Sequence, residues 1–163
     1  MSVTRSKILT LDRLTAALDP PRRGGSTVAL ANGLFDVLHV GHLRYLEAAS
    51  NEADLLVVAI NCDESARTLK GSPRPYVPQD QRAELLAGFE CVDHVTIFEE
   101  LDVEALLRTL RPDVHCKGTD YTEETVPEAE VARELGIRIA IVGDPKRHAT
   151  EDLIERIRSS HDS

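Results

Sequence analysis

Leu55–Asn61 reads LLVVAIN, apolar at nearly every position rather than at every second one. A strand with one face in water alternates, whereas a strand apolar on both faces must be covered on both. Shorter runs of the same kind recur at Thr27–Ala31, His94–Phe98, Asp113–Lys117 and Arg138–Val142. Helical spacing fills the intervals at Gly41–Asn51, Asp63–Leu69, Gln79–Phe89, Asp102–Leu110 and Pro127–Leu135, with Thr150–Arg158 after the last strand. The alternation predicts an α/β fold, a Rossmann-like doubly wound parallel five-stranded sheet with helices on both faces. Asp63 and Asp102 are placed as N-caps, Arg111-Pro112 as a helix end, and Gly136 as the residue that follows one. Lys70–Pro78, with three prolines and a glycine, reads as a loop. No repeat or long linker divides the 163 residues, so 1–163 reads as one domain, with 1–25 an N-terminal extension carrying a short helix.

In sheets of this kind ligands bind beyond the carboxyl ends of the strands. The segment after the first strand is Asn32-Gly33-Leu34-Phe35-Asp36-Val37-Leu38-His39-Val40-Gly41-His42. A strand, a glycine loop and a helix start make a seat for an oxyanion, because the first amides of a helix lack partners and its dipole favours negative charge. His39 and His42 fall where that seat would hold a phosphate, and Gly41 puts no Cβ in the way. A zinc pair is the competing reading, but it needs further ligands and no Cys or His lies close by in sequence. Asn61 and Asp63 follow the second strand, with Lys70 beyond the next helix. Lys117-Gly118-Thr119-Asp120-Tyr121 follows the fourth, and Lys146-Arg147-His148 the fifth. For Lys146 and Arg147 a merely solvated loop is an equal reading; a lysine ending an apolar strand, as Lys117 does, is poorly placed for that.

Charge sharpens the argument. Nineteen basic against 28 acidic residues give −9, which excludes attraction of the whole chain to nucleic acid or an anionic membrane. A phosphate site must then be local, from helix starts, a few cationic side chains and a divalent cation. Cys62, Cys91 and Cys116 are odd in number, lack C-x-x-C spacing and sit in or beside apolar runs, so free buried thiols in a reducing compartment are expected. With no apolar leader and no membrane-length stretch, the cytoplasm is the expected location.

Gly33, Phe35, Asp36, His39, Gly41 and His42 occupy the positions of G-x-F-D-x-x-H-x-G-H, the signature of the cytidylyltransferase-like nucleotidyltransferases, which the chain resembles. Within that superfamily it looks most like the D-glycero-β-D-manno-heptose 1-phosphate adenylyltransferases. The likeness runs through Lys7–Leu11, Leu69-Lys70-Gly71, Arg74-Pro75, Pro78, Gln81-Arg82, Cys91-Val92-Asp93, Arg111-Pro112-Asp113 and Lys117-Gly118 with Asp120-Tyr121. It implies that ATP and a sugar 1-phosphate are joined to an ADP-sugar with release of pyrophosphate. Two alternatives stay open: a CTP-dependent enzyme acting on glycerol 3-phosphate or another small alcohol phosphate, and a non-catalytic nucleotide-binding subunit of a sugar kinase. A homodimer is also open.

A sugar phosphate oxygen is already anionic, so such a reaction needs in-line placement and charge stabilisation rather than a general base. His39 and His42 are the expected donors to the α- and β-phosphates, and Mg²⁺, mostly water-ligated, the expected cofactor, with no protein metal site. The resemblance places a phosphate-binding arginine at Arg82; Lys70 precedes a loop able to close over substrate. Nucleotide contacts are expected from Asn32, Gly33, Leu34, Phe35, Asp36, Gly41, Lys117, Gly118, Arg147 and Thr150. Acceptor contacts are expected from Asp36, Asn61, Asp63, Lys70, Thr119, Asp120 and Tyr121. Asp36 reads as an anchor through backbone N–H groups, and Phe35 as core rather than a base-stacking ring. Two departures stand out: Thr119 where the family has glycine, and Ala149-Thr150-Glu151 where it has Ser-Thr-Thr.

Overall fold

The computed structural model describes residues 2–145 and 149–160. Five parallel strands, β1 (Val28–Gly33), β2 (Leu55–Asn61), β3 (His94–Phe98), β4 (Val114–Lys117) and β5 (Arg138–Ile141), form one sheet in the order β3-β2-β1-β4-β5. The order reverses direction at β1, so the crevice between β1 and β4 is the switch point at which such sheets bind ligands. β2 is buried from Leu56 to Asn61, as its unbroken apolar run requires.

Helices cover both faces through two separate cores. On one side α3 (Val40–Ser50) and α5 (Gln79–Ala87) set Leu46, Ala49, Ala83 and Leu86 against Ala31, Val58 and Ile60. On the other, α2 (Leu11–Arg23), α6 (Glu104–Leu110) and α7 (Ala129–Leu135) set Leu14, Leu18, Leu107 and Val131 against Leu30, Val57 and Ala59. Alternate residues of one strand thus feed opposite cores, as the period of two demands. The remaining helices are α1 (Val3–Ser6), α4 (Asp63–Lys70) and α8 (Thr150–Ser159).

The first 25 residues are more than an extension with a short helix. α2 runs for 13 residues, and its Leu14 and Leu18 have no exposed surface. Ahead of it, Ile8 bridges to Val95, so the Lys7–Leu9 segment lies along β3 as a short outer rung. Arg22 of α2 donates to the carbonyls of Leu110 (2.6 Å) and Arg111 (3.1 Å), stitching it to the end of α6.

Local signals hold with small shifts. Gly136 closes α7 at φ 70, in the left-handed region that favours glycine. Asp102 accepts the Glu104 N–H at 3.0 Å, although the capping position proper belongs to Val103. Asp63 is not the cap of α4: Cys62 is, its Sγ accepting from Ser65 N–H at 3.4 Å, and Asp63 is the first helical residue. Asp93 and Asp113 each receive an amide from the start of a neighbouring strand, Leu56 of β2 and Val28 of β1, at 2.8 Å. All three cysteines are free; Cys62 and Cys116 are buried and Cys91 half-buried.

Candidate active site

A cleft of about 600 Å³ lies along the carboxyl edge of the sheet, lined by Gly33, Asn61, Phe98, Lys117 and Val142 at or just past the five strand ends. The loop after β1 forms its centre. Phe35 stands at φ 49, a costly conformation for an aromatic residue, and its ring turns back into the core beside Tyr45 and His42. A Cβ on Gly33 would sit 3.1 Å from that ring, which is why glycine precedes it.

His39 and His42 meet at the start of α3 with ring centroids 4.0 Å apart. The Gly41 N–H donates to Nδ1 of His39 (3.1 Å), and the His39 N–H donates to Nδ1 of His42 (3.2 Å). This is a capping box made of imidazoles in place of hydroxyl and carboxylate. A ring nitrogen that accepts carries no proton, so each neutral ring holds its proton on Nε2. Burial, reinforced by the neighbouring His39, lowers the pKa of His42 to about 4, so it is a neutral donor at pH 7. The Gly41 amide, expected to meet a phosphate, is instead taken up by His39. The helix start presents Nε2 donors where bare amides were expected.

Beneath the histidines, Asp36 accepts from the N–H groups of Tyr76 (2.9 Å) and Val77 (2.9 Å) and from Arg74 Nε. Burial pushes its carboxyl up, but these bonds outweigh it and hold the pKa below the usual value. Asp36 is therefore an anchor, as expected, and what it anchors is the Pro-rich loop. Glu151 of α8 faces the same loop, 3.5 Å from Lys70 Nζ and 3.9 Å from Arg74. Thr150 Oγ1 donates to the Val37 carbonyl at 3.2 Å, holding the start of α8 against the histidine loop.

Arg82 sits apart from the cleft. It has no exposed surface and does not line the cleft. Its guanidinium donates to Val77 O (2.9 Å), Leu34 O (2.6 Å) and Asp63 Oδ1 (2.8 Å). In this arrangement it ties three loop segments together rather than facing a phosphate, and Asp63, its partner, is likewise absent from the cleft wall. Arg147, with Lys146 and His148, lies outside the described residues. The other predicted residues do converge: Asn32, Gly33, Leu34, Phe35, Asp36, Gly41, Asn61, Lys70, Lys117, Gly118, Thr119, Asp120, Tyr121 and Thr150 line one cleft with His39 and His42.

The far wall carries residues that sequence reasoning missed. Lys117 is nearly buried, its ammonium 4.8 Å from the centre of the Tyr121 ring and 3.8 Å from Glu128 Oε2. Burial lowers the Lys117 pKa, and Glu128 opposes that. Thr119 Oγ1 donates to Asp144 O at 2.9 Å, tying the loop after β4 to the chain beyond β5. Behind the wall, His115 has no exposed surface; its Nε2 lies 3.0 Å from Asn32 Oδ1, and burial next to Lys117 lowers its pKa to about 3. As a neutral Nε2 donor it fixes the Asn32 amide with its NH₂ free for other partners. Arg74, Glu128 and Asp102 also line the cleft; only Arg74, beside Pro75 in the family-like segment, carried a sequence signal. Among the described residues no group of three or more His, Cys, Asp or Glu side chains is placed to hold a metal ion.

A parallel sheet with its signature loop and paired imidazoles at the switch point is the architecture of a nucleotidyltransferase, and residues 30–161 match the family described as cytidylyltransferase-like, to which the chain belongs. It is 43% identical over 152 residues to the bifunctional protein HldE of Syntrophotalea carbinolica and 40% identical over 156 residues to that of Geobacter sulfurreducens. These alignments cover 93% and 96% of this chain but 31% and 32% of the relatives, so the chain spans about a third of their length. Among solved structures, a lipopolysaccharide core biosynthesis protein from Thermoplasma volcanium superposes with a TM-score of 0.64 at 26% identity, covering 75% of this chain and all of that one. Pantothenate synthetase from Thermus thermophilus shares the fold, with a TM-score of 0.60 at 21% identity over 88% of this chain and 63% of that one. None of the described helices is long and apolar enough to cross a membrane.

Proposed function

We propose that the protein is an adenylyltransferase that joins ATP and D-glycero-β-D-manno-heptose 1-phosphate to ADP-heptose and pyrophosphate. The observation that carries this reading is the imidazole capping box: two neutral Nε2 donors fixed side by side at one helix start, over a cleft whose far wall holds Lys117. The acceptor's phosphate oxygen attacks the α-phosphorus, the bond from that phosphorus to the β-bridging oxygen breaks, and pyrophosphate leaves with the electron pair. His39 and His42 donate to the oxygens on which charge grows, and because their backbone bonds hold them in place they need not reorganise as it does. Lys70 lies on the Pro-rich loop side and would meet the leaving pyrophosphate once Glu151 gives way, while Arg74 stays on Asp36 and holds the loop.

Asp36, the buried carboxylate of the histidine loop, already accepts from three donor groups, and among the described residues no group of three or more His, Cys, Asp or Glu side chains is placed to hold a metal ion. That donor set fits a magnesium ion brought by the triphosphate and completed by water. When bound, it would offset charge on the phosphate oxygens. The match to the HldE proteins over nearly the whole chain supports the choice of ATP and a heptose phosphate. Pyrophosphate release, measured with ATP or CTP against heptose 1-phosphate or glycerol 3-phosphate, tests it. Turnover is expected for ATP with the heptose alone and lost in His39→Ala; turnover with CTP and glycerol 3-phosphate instead would overturn the assignment.

A further inference from the structure

Glu128 is an anomaly among the buried groups. Its residue is 5% exposed, it lines the cleft, and its Oε2 has no hydrogen-bond partner among the described residues. Lys117 stands 3.8 Å away, close enough to balance charge and too far to donate a hydrogen bond. A buried carboxylate oxygen without a donor is costly to keep, and such groups mark places where a partner arrives from outside. The partner of that oxygen must bring O–H or N–H donors, because an ionised carboxylate only accepts hydrogen bonds and repels an acceptor-only oxyanion at contact. The hydroxyl groups of a sugar meet that description and a phosphate does not.

We propose that Glu128 selects the acceptor, taking hydrogen bonds from the hydroxyl groups of a polyhydroxylated phosphate ester while Lys117 balances its charge. The inference rests on the reading of the acceptor as a sugar phosphate and adds the residue that distinguishes a sugar from a simple alkyl phosphate. The Tyr121 ring under the Lys117 ammonium helps hold that cation beside Glu128. The two walls then divide the work: imidazoles for phosphate, carboxylate for hydroxyls.

Calorimetric titration of heptose 1-phosphate and of ethyl phosphate, each into protein loaded with magnesium and a non-hydrolysable ATP analogue, tests the assignment. The wild type is expected to bind the heptose ester at least about tenfold more tightly than ethyl phosphate, the scale of one hydrogen bond to a charged group. Glu128→Ala should remove about that tenfold and leave ethyl phosphate within about twofold, so the ethyl phosphate titration also reports that the variant is folded. Glu128→Asp, which keeps the charge opposite Lys117 but withdraws it by one methylene, should show the same loss. Wild-type affinity in Glu128→Asp, an equal fall for both ligands, or no preference in the wild type would each overturn the proposal and leave Glu128 a counter-ion. Failure of the adenylyltransferase reading would show separately, as absence of pyrophosphate release while the hydroxyl-dependent gap in binding persists.

Discussion

The two histidines at the start of α3 do structural and chemical work with opposite ends of the same ring. Each Nδ1 closes a backbone bond, which leaves the ring proton on Nε2, so replacing either should cost more than a charge would suggest. His42→Ala is expected to lower kcat by roughly 10²-fold or more, with a smaller change in KM for the nucleotide, checked by steady-state pyrophosphate release. Burial gives His42 and His115 pKa values of about 4 and about 3 in the fold, below the ordinary 6.5. Between those values and 6.5 the unfolded chain binds more protons, so stability rises with pH across that window and is lost on acidification. Melting temperature should therefore fall from about pH 6.5 toward pH 4, and His115→Leu should flatten that fall, at about 1.4 kcal/mol per unit of displaced pKa. A slope unchanged in His115→Leu would show that His115 does not titrate in this way.

Strands and helices were legible in the sequence because their apolar periods are long and unbroken, as in LLVVAIN of β2. α2 was underestimated because Pro20 and Pro21 sit inside its last turn and argue against a helix, while Leu14 and Leu18 are too few to announce burial by themselves. Its weight is testable: Leu14→Ala should cost roughly 3 kcal/mol in denaturant unfolding, whereas a detached extension would lose almost nothing. Arg82 of α5 shows the other limit of sequence reasoning. The residue type suited a phosphate, but nothing in the sequence revealed that the Leu34 and Val77 carbonyls and Asp63 would surround it. Arg82→Met should destabilise by about 3 kcal/mol, since it strands three acceptors. At the start of α8, Glu151 occupies Lys70 and Arg74. Glu151→Gln should free Lys70, Arg74 staying on Asp36, and lower KM for the nucleotide a few-fold, as read by initial rates; an unchanged KM would mean that the contact does not compete with phosphate.

Over the whole molecule, a charge of −9 surrounds a cleft built for anions. The long-range field opposes a nucleotide's approach, and only the groups inside the cleft attract it. Nucleotide association, followed by stopped-flow fluorescence, should therefore speed up as salt is raised from about 10 to 100 mM, the reverse of steered association. The signature loop and the Lys117 segment were visible because they combine distinctive residue types at strand ends. Glu128 was not, because in Glu123–Glu130 it is one acidic residue among several, and only folding buries it. The cleft has one wall rooted in the core of α3 and α5 and the other in the core of α2, α6 and α7. Changes that reshape one wall are buffered from the other by the thickness of the sheet. An ancestral chain of this build could trade one acceptor for another by drift on the α7 side alone, with its nucleotide chemistry carried forward intact.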